Sequence, residues 1–202
     1  KMSEIEDFIT YKLYLLKNKS FQKLIQESTN NEHIVYYLLT TQNKIIDKCF
    51  CDCKKIAKLM IPPQIKSIDY CAFYGCTNLT EIIIPDSVTK IGDHSFRECK
   101  QLKRIQIPPS VTVIGRYSFD SCSSLTEINI PESVESIGEC AFYGCSSLKE
   151  ISIPSSISLI ENHIFTKCSS LTKIFIPSTV TRIDKSSFKS CLSLEHIVFE
   201  QY

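Results

Sequence analysis

The chain has 202 residues, close to one ordinary domain, of which 43% are hydrophobic and 22% charged. A formal net charge of +1 argues against a protein whose main work is neutralising nucleic-acid phosphate, and against a polybasic membrane anchor. No apolar run approaches the roughly 18 residues that span a bilayer, which leaves the eleven cysteines as the unusual count.

Residues 1–44 carry helical signals. Ser3-x-x-Glu6 reads as a capping box, and Ile5, Phe8, Ile9, Leu13 and Leu16 recur at helical spacing. A second short helix is expected after Ser20, with Phe21, Leu24 and Ile25, and a third run holds Ile34, Tyr37 and Leu38. The expectation is a helical N-terminal cap on the rest of the chain. If Met2 is the first native residue, Glu4, Glu6 and Asp7 leave no basic and apolar leader. That favours an intracellular chain.

From residue 45 onward the sequence keeps a period of 23. Pro62, Pro85, Pro108, Pro131, Pro154 and Pro177 mark it. Phe50, Phe73, Phe96, Phe119, Phe142, Phe165 and Phe188 share a phase, each three residues before Cys53, Cys76, Cys99, Cys122, Cys145, Cys168 or Cys191. A Leu or Ile follows each of these cysteines by three, and then comes an Ile-x-Ile pair such as Ile82 and Ile84. A partial coil over 45–61 and six full coils over 62–199 result, within a solenoid spanning 45–202.

The Ile-x-Ile piece alternates as a strand with one buried face does. Proline ends it, having no N–H to offer a neighbour. Gly92, Gly115 and Gly138 mark expected tight turns, and the residues leading to each Phe an expected short helical turn. About seven apolar side chains per coil return roughly 14 kcal/mol. Ordering a coil costs more than that, at roughly 1–2 kcal/mol per residue. One coil cannot fold alone, and stacked coils can.

The segments IPDSVTKIGDHSFRECKQLKRIQIP and IPESVESIGECAFYGCSSLKEISIP resemble the BspA-type (bacterial surface protein, treponemal) leucine-rich repeat. The resemblance covers about residues 45–199. It implies a leucine-rich-repeat solenoid, an α/β-type horseshoe of short parallel strands and turns with a parallel sheet along one face. It also implies a non-enzymatic binding or adhesion module, found in surface proteins and antigens, and so a cell-surface location.

The ladder cysteines, each between an apolar Phe and Leu, read as buried free thiols. Cys49-x-Cys51-x-Cys53 lacks zinc spacing and a second pair. Cys51 falls in an outward phase and is the candidate reactive thiol. Cys71–Cys76 and Cys140–Cys145 pair an expected surface-turn position with the ladder, as weak disulfide candidates. His94 and His163 share a phase three coils apart, too far to share a metal, and no catalytic constellation or phosphate loop is present. No enzyme activity, cofactor or metal is expected.

Two outward columns on the strand face remain as the candidate binding surface. One holds Met60, Ile83, Gln106, Asn129, Ser152, Phe175 and Val198. The other holds Lys58, Glu81, Arg104, Glu127, Glu150, Lys173 and His196, with Arg104 expected to pair with Glu81 and Glu127. Phe175 and Val198 are the expected anchors for a partner. The function read from this is non-catalytic protein binding or scaffolding through the strand face and coil rims. The alternatives are a cell-surface adhesin or a component of a larger intracellular assembly. The last coil has no visible cap, so end-on self-association or assembly through it is also expected.

Overall fold

The computed structural model describes residues 39–40 and 42–200. The helical cap expected over 1–44 therefore lies almost wholly outside the described residues. Two strands recur in every coil. They are β1 (Lys44–Ile45), β2 (Lys58–Met60), β3 (Ser67–Ile68), β4 (Glu81–Ile83), β5 (Lys90–Ile91), β6 (Arg104–Gln106) and β7 (Val113–Ile114). Then come β8 (Glu127–Asn129), β9 (Ser136–Ile137), β10 (Glu150–Ser152), β11 (Leu159–Ile160), β12 (Lys173–Ile176), β13 (Arg182–Ile183) and β14 (His196–Phe199).

The even strands are the Ile-x-Ile pieces. They stack in parallel as β2–β4, β6–β8 and β10–β12–β14, always pairing residues 23 apart, as Ile105 with Ile128. The odd strands make a second parallel ladder, β1–β3–β5–β7–β9 and β11–β13. The sequence pattern points to one sheet face only. The second ladder is not legible there because each member is two residues long, too short for alternation to show.

A third seam joins the coils where a short helical turn is expected. The chain there makes successive turns with no helix, and every second N–H reaches the next coil. Phe50, Phe73, Phe96, Phe119, Phe142 and Phe165 each donate to a carbonyl 22 residues on, at 2.7–3.0 Å. The residues between them bond back three positions, as Cys76 N to Phe73 O at 3.1 Å. This alternation needs left-handed backbone twice per coil. Among the described residues eleven non-glycine positions have positive φ, including Lys48, Cys71, His94 and Tyr117 in one phase and Asp52, Glu98, Ser121 and Ser190 in another.

The expected role of Gly92, Gly115 and Gly138 is corrected by the same geometry. None of the three has positive φ. A Cβ on Gly115 would sit 2.6 Å from Asp93 N and from Gly92 C. These glycines let one coil's backbone approach the next. Left-handed glycine occurs instead at Gly75 and Gly144.

The interior is a stack of columns. Phe50 through Phe165 are fully buried, and their rings lie parallel at 4.8–5.7 Å between centroids. Cys76, Cys99, Cys122, Cys145, Cys168 and Cys191 each donate the S–H to the Phe carbonyl 26 residues earlier, at 3.0–3.2 Å. Each of these carbonyls also accepts the backbone N–H of the cysteine three residues on, so the thiol adds a second bond, one that ties neighbouring coils together. All eleven cysteines are free thiols. Cys71 and Cys140, expected on the surface, are buried.

Candidate functional site

The even ladder turns one residue of each strand inward and its two flanking residues out, because side chains alternate along a strand. The inward residues, Leu59 through Ile174, are buried. All fourteen residues of the two outward columns lie on the opposite face. Lys58, Met60, Glu81, Ile83, Arg104, Gln106, Glu127, Asn129, Glu150, Ser152 and His196 are exposed, while Lys173, Phe175 and Val198 are half-buried.

This face divides along the stack. At the first coils Met60 and Ile83 are register partners, 55% and 53% exposed. Lys58 and Glu81 flank them as an ion pair at 2.8 Å. The centre is polar, with Gln106 beside Asn129 and Arg104 bonded to Glu127 at 3.4 Å. Arg104 therefore takes one of the two expected partners, and Glu81 goes to Lys58. Toward the last coils Lys173 lies over the Phe175 ring, 4.4 Å from its centroid. That contact half-covers Phe175, the expected anchor. The larger exposed apolar pair is Met60 with Ile83, at the other end of the ladder.

Cys51 is half-buried, less open than its phase suggests. Burial first and the adjacent Asp52 carboxylate second push its thiol up to about 11. Its Sγ donates to Asp52 Oδ2 at 3.6 Å. Both effects deplete the thiolate, the nucleophilic form, at neutral pH. The environment thus opposes the reactivity assigned to this residue. Cys49 is pushed up to about 12 by burial. Among the described residues no three His, Cys, Asp or Glu side chains are placed to hold a metal ion.

A second cluster lies outside the expected sites. On the Phe-turn flank His94 stacks on Tyr117 at 4.8 Å and Tyr70 meets His94 edge-on at 5.6 Å. Arg97 lies over Tyr74 and Tyr117 at 5.8 and 5.5 Å, and pairs with Asp120 at 2.9 Å. Burial, and then the Arg97 charge, hold His94 below the usual imidazole value. Burial raises Asp120 above the usual carboxylate value, against the pull of the Ser121 hydroxyl and Arg97. The signal that could have found the cluster is the phase shared by Tyr74, Arg97, Asp120 and Tyr143. The ring faces of His94 and Tyr117 cover one another and the charges are paired within the cluster. It ties coils together and offers little to a ligand.

The family described as BspA type leucine-rich repeat region matches residues 14–134 and 112–202, in six copies. Among solved structures, the Treponema pallidum leucine-rich repeat protein TpLRR superposes with a TM-score of 0.69 at 30% identity, over 74% of this chain and 70% of that one. A leucine-rich repeat protein from Bacteroides ovatus superposes with a TM-score of 0.73 at 36% identity, over 75% of this chain and 39% of that one. The chain thus spans well under half of the second relative. No curated protein matches.

Proposed function

This chain belongs to the BspA-type leucine-rich repeat family, and from that premise we propose that it is a non-catalytic protein-binding module whose contact face is the outward side of the even ladder. Leucine-rich repeat proteins are generally protein-interaction modules. The observation that carries the placement is the Met60–Ile83 pair, two apolar side chains in register, each more than half exposed beside a charged pair. An apolar centre with a charged rim is the anatomy of a protein contact. The charges on this face are of both signs, Lys58, Arg104 and Lys173 against Glu81, Glu127 and Glu150, so the fit is to a partner with an apolar anchor and a mixed rim. The polar middle then sets register more than affinity.

A second reading places the contact at the last described coil, where Leu192 is 85% and Phe199 60% exposed. One experiment separates the two. Affinity capture from native cells is run with the unmodified chain, with Met60→Ser plus Ile83→Ser, and with Leu192→Ser. The expected result is a partner lost from the double variant at an unchanged denaturation midpoint. A partner retained by the double variant and lost from Leu192→Ser transfers the contact to the last coil. A partner retained by both removes both placements.

A further inference from the structure

The turn that leads into β4 carries an asparagine that no other coil has at that phase. Asn78-Leu79-Thr80 is an Asn-x-Thr triplet with a non-proline centre, the acceptor pattern for N-linked glycans. The coil presents it in usable form. Leu79 is fully buried, and its N–H closes the turn on Cys76 O at 3.0 Å. The inward Leu79 throws Asn78 to the surface, where it is exposed, as are Lys55 and Gln101 in the same phase of the coils on either side. The later coils put Ser124, Ser147, Ser170 and Ser193 at this phase, so the phase asks for a polar residue and not for asparagine.

We propose that Asn78 is an attachment site for an N-linked oligosaccharide, set on the solenoid rim at the entry to β4. The co-reactant is an oligosaccharide activated as a diphosphate ester. Asn78 Nδ2 forms a bond to the anomeric carbon, the carbon–oxygen bond to the diphosphate breaks, the diphosphate leaves with that electron pair, and the amide gives up one proton. The product amide keeps one N–H. Nδ2 now donates to Lys54 O at 2.8 Å, and that single remaining hydrogen is enough to keep the bond. The Thr80 hydroxyl, bonded to Ala57 O at 3.0 Å, is untouched. The folded coil therefore carries the glycan without losing a contact.

Such a modification belongs to an oxidising compartment, and eleven free thiols look unsuited to one. Their placement answers this. Nine are buried, and burial holds Cys76, Cys99, Cys122, Cys145 and Cys168 above the ordinary thiol value and so protonated. Oxidation needs the thiolate and access, and the ladder withholds both.

The test begins with protein from native cells. Peptide mapping after enzymatic deglycosylation is expected to find Asn78 converted to Asp. The chain's other such triplet is Asn18-Lys19-Ser20, so the variants are made in an Asn18→Gln background. Translated with microsomal membranes behind a cleavable leader, that background should gain one glycan mass. Asn78→Gln and Thr80→Ala should each lose it, and Thr80→Ser should keep it. Unmodified Asn78 throughout the native protein overturns the proposal, whatever the microsomes do. So does a mass step that survives Asn78→Gln.

Discussion

The coil around Phe119 and the coil around Phe188 are written in nearly the same pattern and are solvated differently. Phe119, Cys122 and Leu125 are fully buried. Their counterparts Phe188, Cys191 and Leu194 are only partly buried, and Ile197 is 46% exposed where Ile128 is buried. The central coil has neighbours on both sides. The coil at Phe188 has one neighbour among the described residues. An apolar residue in this fold is buried by the next coil as much as by its own, which is the nearest-neighbour stability expected of a solenoid. Leu192 differs from the rest. Its phase is held elsewhere by Thr77, Lys100, Ser123, Ser146 and Ser169, so its exposure comes from its position within the coil.

The largest expected effect strikes the two coils unequally through pH. Cys76, Cys99, Cys122, Cys145 and Cys168 are fully buried, and burial raises each above the ordinary 9.0. Near pH 10 the unfolded chain releases these protons and the folded chain keeps them. The stability they contribute is whole below about pH 9 and falls as pH rises, by about 1.4 kcal/mol per thiol per pH unit, or about 7 kcal/mol for the five at pH 10. Urea midpoints at about pH 7 and about pH 10 should differ accordingly. A midpoint that does not move contradicts the burial of the ladder.

The rings give a direct contrast. Phe119 stacks between Phe96 at 5.4 Å and Phe142 at 5.5 Å, whereas Phe188 meets only Phe165, at 5.6 Å, among the described residues. Phe119→Ala should cost about 3–5 kcal/mol. Phe188→Ala should cost less than half as much, read from denaturant titrations of the two variants. Equal losses would mean that the last coil is as well covered as the central one.

The smallest effect tests the left-handed phase. Ser190 has a φ of 62° in the last coil, and Gly144 has 67° at the same phase nearer the centre. Ser190→Gly removes a Cβ from strained backbone and should stabilise by up to about 1 kcal/mol. Gly144→Ala should destabilise by a similar amount. Thermal unfolding shifts of opposite sign are expected, and the same sign for both would show that the turn differs between coils.

How legible each feature is depends on whether its cause repeats. Phe, Cys and the Ile-x-Ile pair recur in phase because every coil buries them in the same way, so the period and the inward columns can be read directly. The outward face comes with them, since residues flanking Leu59, Ile82 or Ile105 must point away from the core. Exposure within that face is not legible. Phe175 reads as a better anchor than Met60 until Lys173 is seen lying over its ring. The left-handed positions are illegible for another reason. They carry Lys, Asp, Cys, His, Glu, Tyr and Ser, and glycine only at Gly75 and Gly144. Inter-coil hydrogen bonds such as Phe73 N to Ser95 O at 2.7 Å enforce that backbone regardless of the side chain.

The sequence by itself determined the solenoid, its 23-residue coil, the membership of the core and the residues of the strand face, because a repeated burial pattern is written into composition and spacing. Only the tertiary structure decided what depends on contact between coils 22 to 26 residues apart. That includes the second ladder of two-residue strands, the close approach at Gly92, Gly115 and Gly138, and the burial of Cys71 and Cys140. It includes the thiol that caps a carbonyl in the coil before it. Each of these is set by what the neighbouring coil supplies, and a neighbour's position is a property of the stack that no single coil's letters contain.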